Sequence, residues 1–364
     1  MKQNKQNQII YFFPDPQIGG VEKNFFLISG YLSAFFKDNF LITSNKINSK
    51  IDKKIKLIKI DKFWSFINRR LFFIICSIRL FCVCKKFNKP IIFSFQGNFY
   101  AIVVSILLRK KIIIRSNLSP QGWESSELKK KIFKYLLSKA DLIIVNSNDF
   151  NKEMRKIFGV KPTTIYNPIN IKEITKLSSH KKSIKFFKKQ TINLVNIGRL
   201  VEQKNQIEIL LALTKLKNLI KNFRLLIIGY GPEKKNLQNF IHKNNLEKYV
   251  KIIFTKNPYK YLKMSDVFIL SSKYEGLPNV LQEAACLNKY IISSNCKTGP
   301  KEILQKYKYG ELYKIGRIND LSNSIKNLSK KKLKKNIKKF SRNLGEYNYK
   351  INLRKYLIAI DKLT

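Results

Sequence analysis

The sequence predicts two α/β domains of similar size, each a parallel β-sheet covered by helices on both faces, and three observations carry that expectation. Short β-branched runs alternate with longer helical patterns along the chain, an order that produces parallel sheets. The alternation stops over a charged stretch between Asn170 and Gln190 and then restarts. A chain of 364 residues, 44% hydrophobic and 12% aromatic, is too long for one ordinary core and has the apolar material to fill two. Disorder throughout is excluded by the same composition.

In the first half, Ile9–Phe13, Asn39–Thr43, Ile91–Phe95, Lys111–Arg115 and Leu142–Asn146 read as buried strands. In the second, Thr191–Ile197, Arg224–Gly229, Lys251–Phe254, Val267–Ser271 and Tyr290–Ser294 do so. Helical patterns such as Val21–Phe36, Gln203–Asn218 and Pro232–Asn244 fall between them. The expected organisation is an N-terminal domain over 1–170, a linker over 171–190 and a C-terminal domain over 191–335. A last helix within 336–364 is expected to pack back toward the N-terminal domain. Ligands of such sheets bind outside the carboxyl ends of the strands, so a cleft where the two domains meet is the expected site.

The net charge of +49 invites a nucleic-acid reading, which the distribution of charge weakens. Only 11 of the 72 basic residues are Arg, and Lys, Asn, Ile, Phe and Tyr are over-used together, as in a protein from an AT-biased genome. Residues 1–170 carry 30 basic and 10 acidic residues and the remainder 42 and 13, so both parts are basic. A nucleic-acid footprint is usually a patch or stripe rich in Arg, so no dedicated nucleic-acid partner is expected. Attraction to an anionic membrane surface suits a diffuse positive charge better.

Five cysteines (Cys76, Cys82, Cys84, Cys286, Cys296) form no C-x-x-C pair, and two histidines, His180 and His242, supply no zinc site. The opening MKQNKQNQII lacks the apolar core of a signal peptide, and a cytoplasmic protein is expected. Leu71–Cys84 is apolar but short and interrupted by Arg79. Ile91–Leu108 approaches spanning length, but Ser94, Gln96, Gly97 and Asn98 divide it into a strand and a helix.

Four local features converge on a bound nucleoside diphosphate. The first strand runs into Pro14-Asp15-Pro16-Gln17-Ile18-Gly19-Gly20 and then a helix, where paired glycines admit a ligand to unpaired N–H groups; an ordinary tight turn is the other reading. Gly198-Arg199-Leu200 with Lys204 follows Thr191–Ile197 and sets two cations at the end of a strand, suited to a diphosphate whose charge grows as it leaves. Arg199 is the more telling of the two because Arg is scarce. Ile227-Ile228-Gly229-Tyr230-Gly231-Pro232 is a glycine turn opening a helix, where packing explains Gly229 as readily as ligand contact. The fourth is Ser271-Ser272-Lys273-Tyr274-Glu275-Gly276-Leu277-Pro278-Asn279-Val280-Leu281-Gln282-Glu283-Ala284, which places two carboxylates eight residues apart around a Gly-Leu-Pro turn. Glu275 in the loop can accept hydrogen bonds from sugar hydroxyls, and Glu283, a turn inside the next helix, can hold a ribose diol. The N–H groups of Gly276 to Val280 at that helix start would face phosphate.

With these residues the chain resembles the retaining glycosyltransferases of family 4 (glycosyl transferases group 1). Their GT-B fold faces two Rossmann-like domains across a central cleft. The family's paired glutamates match Glu275 and Glu283, its glycine-rich N-terminal loop matches Gly19 and Gly20, and its diphosphate-binding Arg and Lys match Arg199 and Lys204. Ile165-Tyr166-Asn167-Pro168-Ile169 resembles the run before the family's linker. Gly299-Pro300-Lys301-Glu302-Ile303-Leu304 is similar to members that extend polyprenyl-diphosphate-linked glycans or surface polysaccharides.

The resemblance implies Arg199, Lys204 and Glu275 as catalytic residues. It implies Gly19, Gly20, Gly198, Gly229, Gly276, Leu277, Asn279, Val280 and Glu283 as donor-binding. It further implies a nucleotide-diphosphate sugar as co-substrate, no metal or other cofactor, retention of configuration, and a polyprenyl-diphosphate-linked glycan as acceptor. The pathway implied is synthesis of lipopolysaccharide, O-antigen, capsule or glycoprotein glycan, with the enzyme peripheral on the inner face of the cytoplasmic membrane. Many members carry a histidine near the reacting sugar in the N-terminal domain. Here that stretch reads Phe93-Ser94-Phe95-Gln96-Gly97-Asn98, and Gln96, Asn98 and Arg115 are the expected acceptor-side residues in its place. Two rivals are a sugar-nucleotide epimerase, for which no second acid/base constellation is visible, and a non-catalytic basic binder of membrane or nucleic acid. Retention of Glu275, Glu283, Arg199 and Lys204 together argues against the binder.

Overall fold

The computed structural model describes residues 7–44, 51–61, 68–117, 126–179, 185–307, 310–329, 333 and 345–363. His180 and residues 336–344 of the expected last helix lie outside these. The chain divides into two compact units, one of 1–168 with 349–364 and one of 169–348.

The first unit is built on a parallel sheet of β1 (Gln8–Phe12), β2 (Asp38–Ser44), β3 (Ile55–Ile60), β4 (Ile91–Ser94), β5 (Lys111–Ser116), β6 (Leu142–Val145) and β7 (Thr163–Thr164). Its spatial order is β3-β2-β1-β4-β5-β6-β7, so the direction of strand addition reverses between β1 and β4. Helices α2 (Arg69–Lys85), α3 (Asn98–Leu108), α4 (Glu127–Ser138) and α5 (Asn148–Phe158) follow β3 to β6. Phe72, Cys76, Leu80, Ala101 and Ile102 of the first two share one core with Ile10, Ile92 and Ile112 of the sheet. A second core lies around α1 (Gly20–Leu32), where Phe25, Ile28 and Leu32 pack with Ile9, Tyr11 and Phe93. As expected, the apolar stretch from Ile91 is a strand and a helix: Gly97 at φ +68° turns the chain, and a Cβ there would sit 2.6 Å from the Phe73 ring. Among the described residues no helix is long and apolar enough to cross a membrane.

Residues 171–178, expected in the linker, are helical. The Asn170 side chain caps α6 (Ile171–Ser178) by accepting from the Glu173 N–H at 3.2 Å, and Ile174 turns inward. The second unit holds β8 (Ile192–Ile197), β9 (Phe223–Ile228), β10 (Val250–Ile253), β11 (Val267–Leu270), β12 (Tyr290–Ser294) and β13 (Glu311–Tyr313). They form a parallel sheet in the order β10-β9-β8-β11-β12-β13, and its reversal falls between β8 and β11. Helices α7 (Gln206–Thr214), α8 (Lys234–Lys243), α9 (Tyr259–Met264), α10 (Asn279–Cys286), α11 (Pro300–Tyr307) and α12 (Ile318–Lys326) complete it.

The last helix, α13 (Tyr349–Asp361), belongs to the first unit, where Leu353, Tyr356, Leu357 and Ile360 enter the core around α1. Arg115, in β5, holds it there. Its side chain has 0% exposure; Nε donates to the Tyr356 hydroxyl at 2.7 Å and an Nη to Asn167 Oδ1 at 2.6 Å, and the guanidinium lies 5.8 Å from the Phe95 ring centre. Burial raises the Tyr356 hydroxyl above its ordinary pKa while Arg115 opposes that shift, so the phenol stays neutral. Tyr356→Phe removes the acceptor of a buried guanidinium N–H and is expected to cost about 1–3 kcal/mol. A lowered urea midpoint for the first unit, with secondary structure intact, checks this.

Candidate active site

The reversal between β8 and β11 leaves a crevice at the carboxyl ends of these two neighbouring strands, and the loops that follow them carry the expected residues. After β8, Gly198-Arg199-Leu200 is tied to the loop after β9: the Gly198 N–H donates to Ile228 O at 3.0 Å and the Leu200 N–H to Tyr230 O at 2.7 Å. That approach explains two glycines. A Cβ on Gly229 would lie 1.9 Å from Gly198 O, and one on Gly231 would lie 2.2 Å from Leu200 O. Gly229 is therefore required by backbone packing, whatever a donor adds. Arg199 is half-buried, and its carbonyl accepts from Gln206 Nε2 at 3.0 Å.

A 3-10 turn, Glu202–Lys204, then ends on Asn205 at φ +49°, which starts α7 three residues later than the sequence pattern predicts. The Lys204 ammonium meets Glu275 Oε1, with both side chains largely buried at 17% and 6% exposure. Ser272 Oγ donates to the same carboxylate oxygen at 2.6 Å. Three further bonds lace the two loops together: Ser271 Oγ to Lys204 O at 2.8 Å, the Lys273 N–H to Gln203 O at 2.8 Å, and Gln203 Nε2 to Tyr274 O at 2.8 Å. At the rim, Lys273 pairs with Glu202 at 2.7 Å.

The Gly276-Leu277-Pro278 turn rests on the segment after β12. Thr298 Oγ1 donates to the Glu275 carbonyl, and a Cβ on Gly299, at φ +88°, would lie 2.4 Å from Gly276 O. Leu277 is buried, while Asn279 and Val280 are half-buried at the first turn of α10. Glu283, one turn on, is 4% exposed and accepts from the Tyr259 hydroxyl at 3.0 Å. Tyr259 is itself located by Asn257, whose Oδ1 accepts the Tyr259 N–H at 3.2 Å and whose amide donates to Leu177 O at 2.9 Å. Thr298 and Tyr259 escaped sequence reasoning, and Ser272 was quoted within its motif without a role. Thr298 adjoins a run already singled out, whereas Tyr259 carries no local signal at all. Cys296 and Cys286 are both pushed up to about 12, mainly by burial, with Glu275 adding to the first and Glu283 to the second; neither is a thiolate nucleophile near neutral pH.

In the first unit, Gly19 is extended at φ 165°, and a Cβ there would meet nothing nearer than Gln17 O at 3.8 Å. Gly20 is the first residue of α1. The expected acceptor-side residues have work inside the unit. Gln96 Oε1 accepts the Asp15 N–H at 2.8 Å, fastening the glycine loop to the end of β4. Asn98 accepts from Ser94 Oγ at 2.8 Å and donates to Arg115 O at 3.3 Å. Both remain half-buried at the carboxyl end of β4. Arg115 is corrected: the wholly buried guanidinium described above faces the core and α13, so it lines no acceptor surface. His242 is exposed on α8 and meets Glu247 at 2.7 Å, away from these loops.

Gly229→Ala forces the Gly198 carbonyl aside. The expected cost is about 3 kcal/mol or more through overpacking, read as a lowered melting temperature of the second unit.

The description Glycosyl transferases group 1 matches residues 178–351 and Glycosyltransferase Family 4 matches residues 54–173. Among named relatives, an uncharacterized glycosyltransferase of Methanocaldococcus jannaschii is 30% identical over 247 residues, which are 63% of this chain and 61% of that protein. The chain thus spans less than two thirds of that relative. The N-acetylgalactosamine-N,N'-diacetylbacillosaminyl-diphospho-undecaprenol 4-alpha-N-acetylgalactosaminyltransferase of Campylobacter jejuni is 24% identical over 85% of this chain and 87% of its own length. The amylovoran biosynthesis glycosyltransferase AmsD of Erwinia amylovora is 27% identical over 93% and 95%. Of solved structures, Anabaena HepE in complex with UDP-glucose superposes with a TM-score of 0.78 at 15% identity, over 98% of this chain and 99% of that one. The two parallel-sheet units and this superposition give the chain the GT-B fold, with a segment that matches Glycosyltransferase Family 4 followed by one that matches Glycosyl transferases group 1.

Proposed function

We propose that this protein is a glycosyltransferase, a retaining hexosyl- or N-acetylhexosaminyl-transferase. It moves a sugar from a nucleotide-diphosphate sugar to a polyprenyl-diphosphate-linked glycan during assembly of a bacterial surface polysaccharide or glycoprotein glycan. The observation that carries the reading is the lattice of Lys204, Glu275, Ser272 and Thr298 at the switch point of the second sheet, with Glu283 buried one turn into α10. Support for the substrates comes from similar proteins: a HepE complex holds UDP-glucose, the Campylobacter relative acts on a diphospho-undecaprenol acceptor, and the Erwinia relative serves amylovoran biosynthesis.

In this reading the donor's diphosphate lies against Arg199, Lys204 and the N–H groups opening α10, and Glu283 takes the ribose diol. Glu275 keeps the Lys204 ammonium in place before the donor arrives, so no reorganisation is needed as charge develops on the leaving group. The bond from the sugar's anomeric carbon to the diphosphate oxygen breaks. A bond to the acceptor oxygen forms on the same face, and the acceptor's proton passes to the departing phosphate. Cations and dipoles of the protein, with no metal, balance the leaving charge. Gly19 fits the donor side for a reason of its own: neither its backbone angles nor its neighbours demand glycine, so the open approach it leaves serves a ligand. A lipid-linked acceptor places the enzyme at the inner face of the cytoplasmic membrane.

Arg199→Ala and Glu283→Ala are each expected to lower kcat/KM by about 10²–10³-fold with the fold intact. A screen of nucleotide sugars for nucleoside diphosphate release measures this; wild-type rates in both variants, or no release from any donor by the wild type, overturn the proposal. Tyr259→Phe frees the Glu283 carboxylate to turn and is expected to raise KM by about tenfold, close to the worth of one hydrogen bond. Its kcat should stay near wild type, and its preference for ribose over 2′-deoxyribose donors should shrink.

A further inference from the structure

Three neighbouring helices of the first unit leave apolar residues in water that their own core does not need. On α2, Leu71, Ile74 and Ile78 recur at helical spacing on one stripe with exposures of 38, 46 and 60%. On α3, Val103, Ile106 and Leu107 are 43, 39 and 67% exposed. On α4, Leu128, Ile132 and Tyr135 form a stripe exposed by 70, 46 and 59%. The helices are adjacent: Phe73 of α2 lies 5.6 Å from Tyr100 of α3 between ring centres, and Phe99 of α3 stacks on Phe133 of α4 at 4.2 Å. Their inner faces already fill the core with residues such as Phe72, Cys76 and Ile102. Single exposed apolar residues are ordinary, but stripes on three packed helices make a surface that is unsatisfied by water.

The charge around this surface selects its occupant. Within the three helices stand Arg69, Arg70, Arg79, Lys85, Lys129, Lys130, Lys131 and Lys134 against a lone acid, Glu127. Arg69 also lies 3.9 Å from Asp15, so part of its charge is met. Lys139, one residue past α4, covers the Tyr135 ring at 5.2 Å, and Lys85 covers Phe81 at 5.1 Å, the posture of long cations that lay their stems on apolar surface and keep the ammonium outward. A second copy of the chain would bring like charge to like charge. We propose that the outer faces of α2, α3 and α4 dock on an anionic lipid bilayer, lying in its interface with the aliphatic stripes in the acyl boundary and the cations on the headgroups. The proposal rests on the lipid-linked acceptor read above, which would be met at that surface.

The full 364-residue chain is sedimented with vesicles of phosphatidylglycerol and phosphatidylcholine, and with phosphatidylcholine alone, at low and high salt. The expected result is binding at least about tenfold stronger to the anionic vesicles, weakening with salt. Ile78→Ser, Leu107→Ser and Leu128→Ser combined should weaken it by a further tenfold or so. Donor hydrolysis in vesicle-free solution should be unchanged, since none of the three touches the candidate site. Equal binding to both vesicle types, undiminished binding by the triple variant, or a concentration-dependent dimer that the triple variant abolishes overturns the docking. Because the binding assay contains no sugar nucleotide, loss of docking with donor turnover retained rejects this inference alone, while docking without turnover on any donor rejects the proposed function instead.

Discussion

The contact between the Lys204 ammonium and Glu275 joins the loop after β8 to the loop after β11, and the candidate site is arranged about it. Each loop is pinned again from its far side. Gly229 and Gly231 let the β9 loop press on Gly198 and Leu200, and Thr298 and Gly299 support the turn at Gly276. A largely buried ion pair adds little net stability, because desolvation of both charges offsets their attraction. Removing one partner is another matter, costing about 3–5 kcal/mol when an uncompensated charge is left behind. The pair is therefore better understood as a device for position. It holds a cation and a carboxylate where a diphosphate sugar needs them, at the one place in the sheet where the two strands' loops part.

The first unit solves a different problem with a similar device. Its buried Arg115 satisfies a phenol, an amide and an aromatic ring and so fixes α13 and the Asn167 segment to β5. Gln96 fastens the glycine loop to the end of β4. Polar side chains that look available in the sequence are thus committed to holding the carboxyl ends of the strands in register. The outward faces of α2, α3 and α4 carry most of the large apolar side chains that the described part of this unit leaves exposed.

How much of this was legible follows from what each element must bury. Strands such as β1, β5 and β9 are covered on both faces and read as continuous apolar runs, so their positions were found within a residue or two. Strand β3 reads Ile-Lys-Leu-Ile-Lys-Ile at an edge of the sheet, neither a continuous apolar run nor a strict alternation, and β7 and β13 are two and three residues long; none offers a run that pattern reading can separate from loop. The helix pattern read from Gln203 was broken by Asn205 in the left-handed region, a conformation the sequence permits without announcing. Glu275 and Glu283 stood out because acids are scarce in this chain and flank a turn. Arg115 was expected on the acceptor side in place of a missing histidine, a resemblance that carries no information on burial.

The two sheets, the strand–turn–helix setting of Glu275 and Glu283, and the presence of Arg199 and Lys204 after β8 are legible in the linear chain. These depend on local alternation and on residues close in the chain. It is the packed fold that brings Lys204 to Glu275 across 71 residues, aims Glu283 with Tyr259, makes Gly229 answer to packing, and places Arg115 in the core. Parallel strands bring together loops remote in sequence, so the partners of a side chain at their ends are set by strand order, which no local pattern encodes.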